Sequence, residues 1–120
     1  MKYKTVGIED LAGLWLDYVI AGDVCELDTN ISWLPGGYSA ELTVNRRGEQ
    51  ARKFSPSTLW ADAGPLIDSF RISLLHNDDA QWTATIEGGQ PYTHHQPLVA
   101  AMRALALYKV KGGFTVQTYS

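Results

Sequence analysis

Two clusters of turn-forming residues, Asn45-Arg46-Arg47-Gly48 and His76-Asn77-Asp78-Asp79, each stand between short runs of β-forming residues, and segments of helical period surround them. This interleaving of hairpins with helices constrains the fold more than any other feature. Strands joined by a tight turn pair antiparallel, whereas parallel strands need a crossover of a dozen or more residues. The chain therefore predicts an α+β fold with a mainly antiparallel sheet, in the order helix, hairpin, kinked helix, hairpin, helix, strand.

The first helix rests on Ile8, Leu11, Leu14, Trp15, Tyr18 and Val19, whose steps of three and four predict an amphipathic helix over Ile8 to Ala21. Glu9 and Asp10 fall in its first turn, Gly22 is placed to end it, and Trp15 reads as an anchor docking on the sheet. Asp23 to Ile31 shows no clear period, and Leu34-Pro35-Gly36-Gly37 reads as a turn or loop. Tyr38, Ala40, Leu42 and Val44 then define one face of a strand that turns at Asn45 to Gly48. The return segment, Glu49 to Phe54, is short and polar, as befits a sheet edge.

The stretch Phe54-Ser-Pro-Ser-Thr-Leu-Trp-Ala-Asp-Ala-Gly-Pro-Leu-Ile67 opens a helix, with Ser55 as a cap before Pro56 or Thr58 as the cap a turn later. Trp60, Ala63, Ile67 and Phe70 would form its apolar stripe. Gly64-Pro65 predicts a kink or a division into two short pieces, with Asp62 either capping the second piece or solvated. Arg71 to Leu75 and Gln81 to Glu87 form the second hairpin, in which Trp82, Ala84 and Ile86 alternate with polar residues. Gly88 to His95 reads as a loop. Gln96-Pro97 opens a helix carrying Leu98, Ala101, Met102, Leu105 and Tyr108, with Lys109 and Lys111 at its end and Gly112-Gly113 to stop it. Phe114, Val116 and Thr118 suggest a last strand.

A chain of 120 residues, 45% apolar and 19% charged, is expected to form a single domain over 1–120 with its own core. Cys25 is the single cysteine, which forbids an internal disulfide and reads as a small buried hydrophobe. The N-terminus lacks the pattern of a secretory signal, and no apolar run approaches the ~18 residues of a membrane span, so the expected location is the cytoplasm. A net charge of −3 argues against a generic nucleic-acid binder, yet Arg46, Arg47, Arg52 and Lys53 gather four of the ten basic residues into one hairpin.

Two segments carry a family likeness. Phe54 to Ile67 is one, and Gln96-Pro-Leu-Val-Ala-Ala-Met-Arg103, preceded by the Trp82-Thr-Ala strand, is the other. Together they resemble the NinX-like phage family of unknown function and, more distantly, the phage ABA sandwich domain; the helix with Leu14, Leu16-Asp17 and Val19 is similar to the opening helix of both. The resemblance implies a sheet packed between helices, an α/β/α sandwich, and a phage or prophage origin. It transfers no catalytic residue.

Chemistry is sparse. Serines are present without a nucleophile elbow, Gly36-Gly37 and Gly88-Gly89 form no phosphate-binding loop, and Asp78-Asp79 read as turn formers, so no enzyme and no cofactor are expected. His94 and His95, with His76, Asp78 and Asp79, are the only metal-ligand types that cluster in sequence. Adjacent histidines point in different directions, and no metal is expected there. The leading expectation is a small non-enzymatic phage accessory protein that binds a host or phage macromolecule, with self-association through a free sheet edge as a further mode. The second is a nucleic-acid-binding accessory protein using Arg46, Arg47, Arg52 and Lys53, with Phe54 and Tyr38 able to stack on bases. The third is a metal-dependent protein using the loop at His94 and His95.

Overall fold

A computed structural model describes residues 2–36, 39–110 and 113–118. The core is built around one helix, Pro97–Lys109 (α3), in which every residue from Leu98 to Arg103 and on to Ala106 is buried. A helix buried around its whole circumference over most of its length belongs inside the fold rather than on its face. Its four small alanines, Ala100, Ala101, Ala104 and Ala106, let neighbouring elements approach closely. As expected from Gln96-Pro97, proline occupies the first turn of α3, where its missing amide costs nothing.

The other elements, in chain order, are strand β1 (Lys2–Val6), helix α1 (Gly13–Val19), strands β2 (Asp28–Trp33), β3 (Ala40–Asn45) and β4 (Arg52–Lys53), helix α2 (Trp60–Ser69), and strands β5 (Ser73–His76), β6 (Trp82–Thr85), β7 (Tyr92–His94) and β8 (Phe114–Thr118). The class is α+β with antiparallel pairing, as the hairpins predict. The strands divide among three small sheets, ordered β1-β8, β2-β3-β4 and β5-β6-β7. Against this frame, α3 packs on β6, β7, α1 and α2, while α1 also meets β3 and β8.

The expected helix over Ile8 to Ala21 is broken. Ile8–Asp10 forms one 3₁₀ turn, Leu11 and Ala12 are extended, α1 starts at Gly13, and a π-helical stretch over Ile20–Val24 carries the chain past Gly22. Gly22 is thus inside a helical segment rather than after it, and Glu9 and Asp10 cap no α-helix. The physical reason lies in Arg103. Its buried guanidinium donates from Nε to the Leu11 carbonyl at 2.9 Å and from Nη2 to the Glu9 carbonyl at 3.3 Å, so acceptors freed by the break are satisfied from α3. Nη1 also reaches the Tyr92 hydroxyl at 3.2 Å, tying β7 to the same point.

Three strands go beyond the expectation. β1 and β7 lie where the sequence suggests none, and Asp28–Trp33 is a strand inside the segment without a clear period. In β2 the half-buried Thr29, Ile31 and Trp33 alternate with exposed Asp28, Asn30 and Ser32, a period of two disguised by a threonine on the inner face. Trp15 is half-buried, its ring 5.7 Å from Tyr18 and 6.0 Å from Trp33, which makes it the anchor expected. β4 is only two residues long. Tyr38, Lys111 and Gly112 lie outside the described residues.

Helix α2 also differs. It begins at Trp60, after a turn at Pro56 to Thr58, with Leu59 as an N-cap that offers no side-chain bond. Pro65 sits within a single helix rather than dividing it. Ala63 is buried and Ile67 and Phe70 partly so, but Trp60 points outward. Asp62 neither caps nor floats free. Its carboxylate accepts from the Ser55 amide at 2.9 Å and meets Arg52 at 3.4 Å, fastening β4 to α2.

Candidate functional site

The stretch from Phe54 to Trp60 lies on a seam between two concavities. One, of about 280 Å³, is lined by Leu14 and Asp17 of α1, Glu41 and Leu42 of β3, Lys53 of β4, and Phe54, Ser57 and Thr58. The other, also about 280 Å³, is lined by Ser57, Thr58 and Trp60 on one side and by Gln96, Pro97 and Leu98 on the other. Ser57 and Thr58 belong to both. Leu59 and Trp60, at 52% and 56% exposure, follow at once in the chain.

Asp17 is the chemically unusual member. It is 4% exposed, and its Oδ1 accepts a hydrogen bond from the Ser57 amide at 2.8 Å. Burial pushes its carboxyl up to about 6, opposed by the Ser57 amide and hydroxyl and assisted by the charge of Asp62. Of the two Ser57 groups the amide is the firmer partner, because the buried hydroxyl itself makes no bond of good geometry. Among the described residues Asp17 forms no ion pair, while Lys53 meets Glu41 at 3.9 Å and Arg52 meets Asp62. The sequence marks Asp17 only as part of the helix that resembles the phage families. An acidic residue on the buried side of an amphipathic helix, between Leu16 and Tyr18, is the signal that identifies it.

The basic hairpin is divided. Arg46 and Arg47 lie exposed in the β3–β4 turn, and among the described residues neither joins an ion pair. Arg52 and Lys53 are tied to carboxylates, and the Arg52 guanidinium also lies 5.4 Å from the centre of the Phe54 ring. Phe54 itself is buried, which withdraws it from stacking on a base. Cys25 is half-buried; burial pushes its thiol up, against the opposing charges of Arg46 and Arg52.

His94 ends β7 rather than lying in a loop, and its ring stacks on His95 with centroids 4.3 Å apart and planes at 26°. The Gln96 amide donates to His94 Nδ1 at 3.0 Å. Burial lowers the His94 pKa, and the charges of His95 and Arg103 lower it further. Stacked rings direct their nitrogens along parallel planes rather than at one point. His76 lies instead against Trp82, with ring centroids 4.8 Å apart. Among the described residues, no group of three or more His, Cys, Asp or Glu converges as metal ligands would.

Fold and site together define a small α+β protein with an open, acid-lined concavity between α1, β3 and the Phe54 to Thr58 turn, and a second concavity where Trp60 faces the start of α3. Residues 8–109 match the family model described as Bacteriophage P22, NinX, and the chain belongs to that family. The match runs from the 3₁₀ turn to the last residue of α3, so strands β1 and β8 lie outside it. No curated protein matches the chain. Among the described residues, no helix is long and apolar enough to cross a membrane.

Proposed function

We propose that this NinX-family protein is a non-enzymatic accessory module that works in the cytoplasm by docking a phage or host protein on the Leu59–Trp60 surface. The observation that supports it is the pair of large apolar side chains at the head of α2, each more than half exposed, with Trp60 also lining the concavity shared with Gln96, Pro97 and Leu98. Tryptophan is among the residues that most often carry interface energy when a partner covers it. An α/β/α layering, which the family likeness implies, belongs to the same proposal and is supported by α3 lying against β6 and β7 and α1 against β3.

The test is capture from host lysate, with and without nuclease, by wild-type protein and by Leu59→Ala/Trp60→Ala, followed by rebinding of the captured protein in purified form. Because both side chains are exposed, the double variant should fold to within about 1 kcal/mol of wild type. Loss of a nuclease-resistant partner in that variant supports the proposal, and undiminished purified binding refutes it. A second reading, nucleic-acid binding at the hairpin tip, is favoured only by exposed Arg46 and Arg47, which join no ion pair among the described residues. Binding that vanishes with nuclease, weakens steeply with salt and is lost in Arg46→Glu/Arg47→Glu would put that reading first.

A further inference from the structure

We propose that the cavity between Asp17 and Ser57 is a recognition pocket for a cationic nitrogen group, an ammonium or guanidinium carried on a short apolar stem. The argument begins with unmet hydrogen-bonding capacity. An ionised carboxylate offers about four acceptor positions, and among the described residues Asp17 uses one, on the Ser57 amide. The Ser57 hydroxyl, in a residue 4% exposed, makes no hydrogen bond of good geometry among the described residues, and the group it faces is the Asp17 carboxyl itself. Buried polar groups are normally satisfied, and these two line one cavity.

Charge then selects the ligand. The charged groups around Asp17 are Glu41 from β3, Lys53 from β4 and Asp62 from α2 with its partner Arg52. The Lys53–Glu41 and Arg52–Asp62 contacts pair four of the five charges, and Asp17 is left as the carboxylate without a counter-ion. An anion would meet that carboxylate unshielded. A neutral acceptor would satisfy the Ser57 hydroxyl but not Asp17. An ammonium has three donors and a guanidinium five, with no acceptor, so either can donate to the carboxylate and to Ser57 Oγ together. Leu14, Leu42 and Phe54 supply apolar wall for a methylene stem, the way lysine and arginine stems are ordinarily covered.

The same chemistry occurs on a protein's lysine or arginine side chain and on a free diamine. The pocket does not depend on the Leu59–Trp60 reading, and Trp60→Ala separates the two: undiminished protein capture in that variant overturns the surface reading, whereas the pocket requires butylammonium binding to stay intact in it whatever happens to capture.

The experiment is a ¹H–¹⁵N NMR titration of the full chain with n-butylammonium and n-propylguanidinium chloride, and with 1-butanol, butyrate and sodium chloride as controls. Ligands of five to seven heavy atoms should bind at roughly millimolar levels. The expected result is saturable shifts at Ser57 and around Asp17 with the two cations alone, at least tenfold weaker in Asp17→Asn and several-fold weaker in Ser57→Ala, both with native-like spectra. Binding should also weaken as pH falls through about 6, where Asp17 takes up its proton. Comparing Nα-acetyl-lysine methylamide with 1,4-diaminobutane then distinguishes a protein side chain from a free amine as the better ligand. Equal shifts with 1-butanol, shifts with sodium chloride alone, no saturable shift, or unchanged binding in Asp17→Asn would each overturn the proposal.

Discussion

Replacing Asp17 by asparagine should stabilise the protein at neutral pH and leave it unchanged in acid. Asparagine keeps the carbonyl that accepts from the Ser57 amide and removes a buried charge without a counter-ion. The carboxyl rises from 3.8 to about 6 on folding, and at about 1.4 kcal/mol per unit the ionised form costs the folded state about 3 kcal/mol. Because the folded pKa lies above the unfolded one, Asp17 favours folding fully below pH 3.8, and that contribution is lost as pH rises through about 6. The open cavity in front of the carboxylate admits solvent, which makes this an upper figure. At pH 7.5 the variant should therefore gain about 2 kcal/mol, or about 8 °C in Tm at this chain length. Urea unfolding followed by tryptophan fluorescence at pH 4, 5, 6 and 7.5 measures the gap. Titrating groups that do not interact with Asp17 cancel in the difference between the two proteins, leaving Asp17 and its neighbour Asp62. A gap that does not change with pH, or a wild type more stable than the variant at pH 7.5, would refute the reasoning.

Two further predictions concern the scaffold. Arg103→Met should cost about 3 kcal/mol or more in urea unfolding, because it strands the buried Leu11 carbonyl and frees the Glu9 carbonyl and Tyr92 hydroxyl; a loss under 1 kcal/mol would show that water replaces the guanidinium. Gly113→Ala places a Cβ against the Thr5 methyl across the β1–β8 pair and should destabilise by about 1 kcal/mol, with most of the loss recovered in Gly113→Ala/Thr5→Ser, where that methyl is gone; a double-mutant cycle in thermal unfolding reads the coupling.

Where local chemistry decides the structure, the sequence discloses it. The turns at Asn45 to Gly48 and His76 to Asp79, the alternation through Leu42 and Val44, and the opening of α3 at Pro97 all follow from φ preferences and period. Where a distant partner decides, it does not. Ile8 to Ala21 has flawless helical spacing, and the break at Leu11 is held by a guanidinium ninety-two residues away. β1 is bounded by its pairing with β8 and carries no period of its own. Trp60 has the spacing of a core residue, yet the turn at Pro56 to Thr58 sets the phase of α2 so that Ala63 faces inward instead. The candidate cavity was hidden for the same reason: Asp17 and Ser57 are forty residues apart, and only packing of α1 beneath the Phe54 to Thr58 turn joins them.

The β1–β8 pair sets an order of events. Lys2 lies opposite Thr118 and Val6 opposite Phe114, so this sheet forms only after the chain has been made through β8. Closing a loop of that length costs roughly 4 kcal/mol in chain entropy before any strand contact repays it. During synthesis the first strand must therefore wait, unpaired, while the hairpins and α3 assemble from nearer neighbours. A chain ending just before Phe114 would carry Arg103 and α3 but leave β1 without its partner, and protease access to Lys2–Val6, compared with the chain through Thr118, would report what the last strand closes.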